Sequence, residues 1–145
     1  IMRVNLRGTF ICTKAVLPLM VGQRSGSIIS ISSPGAHFQG PPGVIPYGIS
    51  KAGIEFFNIG LAEEVREYNI AVNALMPSTD IATEGRMLVF KDADKAPRLK
   101  PPDDMAKAAL FLALQDAHSF SGRVVTDDQI VHGLYADRCA ALLGA

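Results

Sequence analysis

With 145 residues, 48% of them apolar and 19% charged, the chain is long enough to bury the core of one domain and too hydrophobic to be a disordered polymer. Fourteen basic residues balance fourteen acidic ones, which removes any electrostatic ground for expecting nucleic acid or an anionic membrane as partner. Two cysteines without a CxxC spacing argue against a disulfide scaffold or a zinc site, and no apolar run approaches the roughly 20 residues of a membrane span.

The chain opens at Ile1, and Met2-Arg3-Val4 already reads as the middle of a helix, so the natural protein is expected to extend further toward the N-terminus. From Ile1 to about Val21, apolar Val4, Leu6, Phe10, Ile11, Ala15, Val16, Leu19 and Met20 follow helical spacing. Pro18 is a breaker that would kink the last turn, and Cys12 reads as a small core residue. After a glycine-bounded turn, Ser27-Ile28-Ile29-Ser30-Ile31-Ser32 is a short β-branched run that suits a buried strand. Pro34 to Pro46 is rich in glycine and proline and reads as a loop. Tyr47 to about Tyr68 is the longest helical pattern, with Ile54, Phe57, Leu61 and Val65 inward and Glu63, Glu64, Arg66 and Glu67 on the wetter side. A second strand, Ile70 to Met76, stops at Pro77. The connection from Ser78 to Pro102, with one short helix near Arg86 to Phe90, has the length of a substrate lid. Pro101-Pro102-Asp103-Asp104 opens a further helix with acidic groups at its positive end. Arg123 to Thr126 is a third strand, and the tail ends in a short helix near Tyr135 to Leu143. No secretory leader pattern is visible, so the default location is the cytoplasm. His37, His118 and His132 lack metal-ligand spacing and read as surface or loop residues, so no metal is expected.

Alternating helices and strands predict an α/β fold, a partial Rossmann-type, doubly wound parallel sheet of about three strands with crossover helices. Ligands in such sheets sit beyond the carboxyl ends of the strands. Ser33 and Pro77 lie at such ends, and Tyr47 begins the helix after the first strand. Tyr47 and Lys51 are four residues apart and share a helix face. A nearby cation favours phenolate and lowers a tyrosine pKa from its usual value of about 10. A tyrosine so tuned passes a proton to or from a carbonyl or alcohol oxygen, which Ser33, fourteen residues upstream, would hold. A bare YxxxK also occurs by chance on surface helices; here the surroundings favour chemistry. Asp127-Asp128, read as strand residues, would point to opposite faces and so form no paired-carboxylate site.

Five ordered blocks resemble the short-chain dehydrogenases/reductases, in the single-domain YxxxK branch. They are Asn5-Leu6-Arg7-Gly8-Thr9-Phe10, Gly26 to Ser33, Tyr47-Gly48-Ile49-Ser50-Lys51-Ala52, Ile70 to Pro77, and Pro102 to Ala113 followed by Ser121-Gly122-Arg123-Val124. The resemblance runs over nearly all 145 residues and implies one domain, residues 1–145, equal to the catalytic half of a Rossmann fold. It implies Tyr47 as general acid/base, Lys51 as its partner and a ligand of the nicotinamide ribose, Ser33 as the group orienting the substrate oxygen, and Asn5 as holder of a relay water. Pro77, Ile81 and Thr83 would pass beside the nicotinamide. The implied reaction is hydride transfer between NAD or NADP and a small carbonyl or secondary alcohol. A homodimer or homotetramer of the full-length parent is the implied assembly, and neither nucleic acid nor membrane is an implied partner.

The pattern departs from the family chiefly by an absence. No GxxxGxG or GxGxxG turn occurs, and neither does the residue that selects NAD or NADP. The first strand would then lack its inner neighbour, so the 145-residue piece is expected to be poorly stable alone and to bind dinucleotide weakly or not at all. Ser78 stands where the family favours glycine, and Thr126-Asp127-Asp128-Gln129 replaces the usual Asp-Gly-Gly ending. Two other readings stay open: a non-catalytic scaffold or interaction domain, and an epimerase or lyase of the extended branch.

Overall fold

In the computed structural model, the described residues are 1–38, 42–84 and 99–144. The strand Ile70–Met76 (β2) organises them. It pairs in parallel with β1 (Gly26–Ile31) on one side, from Gly26 opposite Ile70 to Ile31 opposite Leu75. On its other side it pairs in parallel with β3 (Val124–Thr126), from Ala74 opposite Val124 to Met76 opposite Thr126. A strand covered on both faces reads as a near-continuous apolar run rather than an alternating one, and Ile70 to Leu75 are all buried.

The faces are covered by α1 (Met2–Gln23), α2 (Ile45–Glu64), α3 (Asp103–Ala113), α4 (Asp127–Val131) and α5 (Ala136–Leu143), with short 3-10 turns at Pro34–Ala36 and Arg66–Tyr68. Side chains alternate along a strand. Ile28, Ile70 and Val72 therefore pack toward Leu61, Ala62 and Val65 of α2 and its end, with Leu17, Met20 and Val21 of α1 beside them. Leu75 and Val125 pack on the other side with Ala108, Phe111 and Leu112 of α3, Phe120, Ile130 and Cys139. Each core thus sits between the sheet and one helical layer, the doubly wound arrangement that the alternation predicts.

Several boundaries differ from the sequence reading. α2 starts at Ile45, with Pro46 in its first turn, where a missing N–H is harmless. It ends at Glu64, and Asn69 turns the chain into β2 with a left-handed φ of 56°. α1 continues through Pro18. Cys12 is exposed rather than a core residue, as are Phe10, Ile11, Val16 and Leu19 around it. At 22 residues, α1 is also long and apolar enough to cross a bilayer by length and composition, contrary to the expectation that no stretch approaches that size. Here its Leu17, Met20 and Val21 pack against the sheet layer. Asp127 and Asp128 are not strand residues: they open α4, whose capping box joins Thr126 and Gln129. The helix expected near Arg86 to Phe90 lies outside the described residues.

One buried polar side chain ties the sheet together. Asn73 is fully buried; its Nδ2 donates to the Phe120 carbonyl at 3.0 Å and its Oδ1 accepts from Arg123 N at 3.1 Å. That grip brings the segment before β3 into register with β2. Asn73→Ala would leave both backbone groups without a partner, and we expect it to destabilise the chain by about 1–3 kcal/mol. Urea unfolding measures this, and an unchanged midpoint would refute it.

Candidate active site

The carboxyl ends of β1 and β2 open into a cleft of about 720 Å³. Ser33, Gly35, Tyr47 and Lys51 line it from the β1 side, and Pro77, Ser78, Asp80, Ile81 and Thr83 from the β2 side. Ile31, Ser32 and Pro34 add to the first side and Thr79 to the second, and Pro102 and Met105 line it at the start of α3.

The first wall is made by laying the turn Pro34–Ala36 directly on the first turn of α2. A Cβ at Gly35 would stand 3.2 Å from Tyr47 Cε1, and one at Gly48 would stand 2.7 Å from the Gly35 carbonyl oxygen. Both glycines therefore serve close approach rather than flexibility. Ser33 caps the 3-10 turn, its Oγ accepting from Gly35 N at 3.2 Å. Lys51 Nζ donates to the carbonyl of Ile31, the last residue of β1, at 2.8 Å, and stands 5.7 Å from the Tyr47 ring centroid. Phenol, ammonium and serine hydroxyl thus border one cavity, as the sequence spacing predicts. Ser32 also lines the cleft but is almost fully buried, with its hydroxyl donating to Glu55 Oε1.

Asn5 is placed differently from the other residues expected at the site. It is absent from the described cleft lining. Its Nδ2 donates to Ser50 Oγ at 3.0 Å, and Ser50 Oγ donates to the Tyr47 carbonyl at 2.7 Å. It therefore reaches the site through the first turn of α2.

The second wall depends on residues that the sequence reading did not single out or placed elsewhere. Asp127 is fully buried, and its Oδ1 accepts from Ser78 N at 2.7 Å and Asp128 N at 2.8 Å. Lys100 Nζ lies 2.7 Å from Asp104 Oδ2, 3.3 Å from Asp127 Oδ2 and 3.5 Å from Asp128 Oδ1. Asp127 and Asp128 consequently converge on one ammonium, where a strand would have sent them apart. Lys100 also pairs its backbone with the cleft segment: its N donates to the Asp80 carbonyl at 2.9 Å, and its carbonyl accepts from Ala82 N at 2.8 Å. Two signals were present in the sequence, the Thr126–Gln129 capping spacing and the i,i+4 pair Lys100–Asp104.

Burial works against the Lys100 ammonium, but hydrogen bonds and charges from Asp104 and Asp127 outweigh it and hold its pKa above the ordinary value. The Lys100 bond holds Asp104 below the usual carboxyl range, against a smaller opposing effect of burial and with help from His132. A carboxyl group depressed in the folded state contributes stability above its unfolded value of about 3.9, and that contribution is lost as pH falls through the lower folded value. The raised Lys100 value matters only at the alkaline end. Lys100→Met should therefore be less stable than the native chain at neutral pH, with the difference narrowing below about pH 4. Urea unfolding across a pH series tests this, and a difference independent of pH would contradict it.

The family model described as short chain dehydrogenase matches residues 1–94. The chain is 34% identical over 131 residues to a 3-oxoacyl-acyl-carrier-protein reductase of Aquifex aeolicus, covering 86% of this chain and 52% of that protein. Among solved structures, a gluconate 5-dehydrogenase from Burkholderia cenocepacia in complex with NADP and tartrate is similar, with a TM-score of 0.75 at 29% identity over 86% of this chain and 52% of the other. A 3-oxoacyl-acyl-carrier-protein reductase from Brucella melitensis with bound NAD gives a TM-score of 0.71 at 34% identity over 85% of this chain and 47% of the other. The chain thus spans about half the length of the relatives it matches.

Proposed function

This chain belongs to the short chain dehydrogenase family, and from that premise we propose that the whole protein carrying it moves a hydride between NAD or NADP and a small carbonyl or secondary alcohol, with Tyr47 as the acid/base. The observation that carries the proposal is the convergence of Tyr47, Lys51 and Ser33 on one cleft at the carboxyl end of the sheet. A structural scaffold has no need of a phenol and an ammonium on one face beside an open cavity.

The residues present fit the nicotinamide end of a dinucleotide. An ammonium has three donors, and the bond from Lys51 to Ile31 O uses one of them, leaving others for a ribose. Pro77, Ile81 and Thr83 line the opposite side of the cleft and would border the flat nicotinamide ring there. No phosphate-binding glycine turn occurs in the sequence, so the fit is to this end alone. When bound, the nicotinamide supplies the hydride chemistry; the protein supplies orientation and proton traffic.

In the reductive direction, Ser33 Oγ donates a hydrogen bond to the substrate oxygen and Tyr47 Oη delivers the proton to it. The Lys51 charge stabilises the negative charge left on the phenol oxygen, an interaction strengthened where the cleft excludes water. Asn5, bonded to Ser50 beside Lys51, supports the site from α1. In the oxidative direction the same groups act in reverse. Exposed Phe10 and Ile11 on α1, with Phe56 and Ile59 on α2, favour a homodimer or homotetramer of the whole protein.

In the whole protein, Tyr47→Phe is expected to lower kcat by about 10²–10⁴-fold while leaving dinucleotide affinity largely intact. Steady-state assays with a carbonyl substrate, paired with fluorescence titration of NADH or NADPH, measure both quantities. A near-native rate in the variant would reject the role given to Tyr47.

A further inference from the structure

We infer that Glu55 is a positioning residue for Ser33: from the helix that carries Tyr47 and Lys51, it clamps both ends of the segment on which Ser33 stands. The inference rests on the role given to Ser33 above. Residues 47, 51 and 55 follow one another at i,i+4 spacing and so share a face of α2. Tyr47 packs on Gly35 and Lys51 bonds to Ile31 O. Glu55, 6% exposed, continues that face. Its carboxyl group takes the Ser32 hydroxyl on Oε1, while His37 Nε2 lies 2.9 Å from Oε2 and 3.2 Å from Oε1. Ser32 and His37 bracket Ser33 to Ala36.

The clamp matters because of what holds this segment otherwise. Ser32 N donates to Leu75 O at 2.8 Å, a bond that continues the β1–β2 ladder. The bonds from Ala36 N to Ser33 O and from His37 N to Pro34 O close the 3-10 turn on itself and do not fix it to the domain. The Glu55 contacts, with the close approach of Gly35 to Gly48, supply that attachment. A carboxyl group this buried is tolerated only with such partners. Because Tyr47, Lys51 and Glu55 ride on one rigid helix, a shift of α2 moves the proton donor and the serine turn together.

The test uses the whole protein. Glu55→Ala should lower kcat/KM for the carbonyl substrate about 10–100-fold, the scale of a misplacement of roughly 1 Å, with dinucleotide affinity unchanged. Amide hydrogen exchange at Gly35, Ala36 and His37 should quicken while β2 stays protected. Glu55→Gln keeps an acceptor for Ser32 and a donor for a neutral His37, and should restore most of the rate. In a Ser33→Ala background, Glu55→Ala should add no further loss, because residues acting through one group are not additive. An additive loss, or unchanged exchange at Gly35 to His37, overturns the inference. If Glu55→Ala quickens exchange but the native protein itself turns over no carbonyl or secondary alcohol with NADH or NADPH, the clamp stands and the oxidoreductase reading is overturned instead.

Discussion

The structure depends on how α2 crosses the carboxyl end of β1. A parallel pair such as β1–β2 needs a crossover, and α2 is that crossover. Its inner side combines two functions. Ile54, Leu61 and Ala62 bury apolar surface in the core layer, whereas Tyr47, Lys51, Glu55 and Asn58 form a polar seam along the serine strand. Asn58 Oδ1 accepts from Ser30 Oγ at 3.1 Å, continuing the contacts made by Glu55 and Lys51. Hydrophobic burial fixes that the helix packs there. The seam fixes its register, since a rotation would strand buried polar groups without partners. That register brings a tyrosine, a lysine and a serine to the same opening.

The facing wall is built on another principle. Beyond β2, Lys100 pairs its backbone with Asp80 and Ala82, and its side chain is fixed by charge. The ammonium gathers Asp104, Asp127 and Asp128, while Asp127 holds the backbone of Ser78 next to Pro77. The cleft therefore has one wall set by a helix face and one by an ion cluster. The first carries the groups proposed for proton transfer; the second carries those proposed to border the nicotinamide.

Much of this was legible in the sequence, because it rests on local spacing. The strands Gly26–Ile31 and Ile70–Met76 follow from a β-branched run and a continuous apolar run, and the i,i+4 relation of Tyr47 to Lys51 needs only helical geometry. Ser32 and Ser33 both border the cleft, and only the fold shows that the Ser32 hydroxyl is taken by Glu55. What escaped was contact between residues distant in sequence. Neither Glu55 nor Lys100 stands out in the sequence: Ser32 and His37 meet Glu55 only in the fold, and Asp127 reaches Lys100 from 27 residues away. Asn5 is linked to Ser50 rather than set in the cleft lining, which depends on the approach of α1 to α2. Cys12 was misread because apolar spacing marks a helix face without saying what covers it. The short helix α4 was missed although its capping residues were visible, since Thr126 also ends a strand.

The most direct measurement is a structure of the whole protein with its nicotinamide cofactor and an unreactive carbonyl or alcohol analogue. The account predicts that one oxygen of the analogue lies within about 3 Å of both Tyr47 Oη and Ser33 Oγ, with Lys51 Nζ turned to the ribose. An analogue oxygen held by other groups, with Tyr47 and Ser33 out of hydrogen-bond reach of it, would contradict the account.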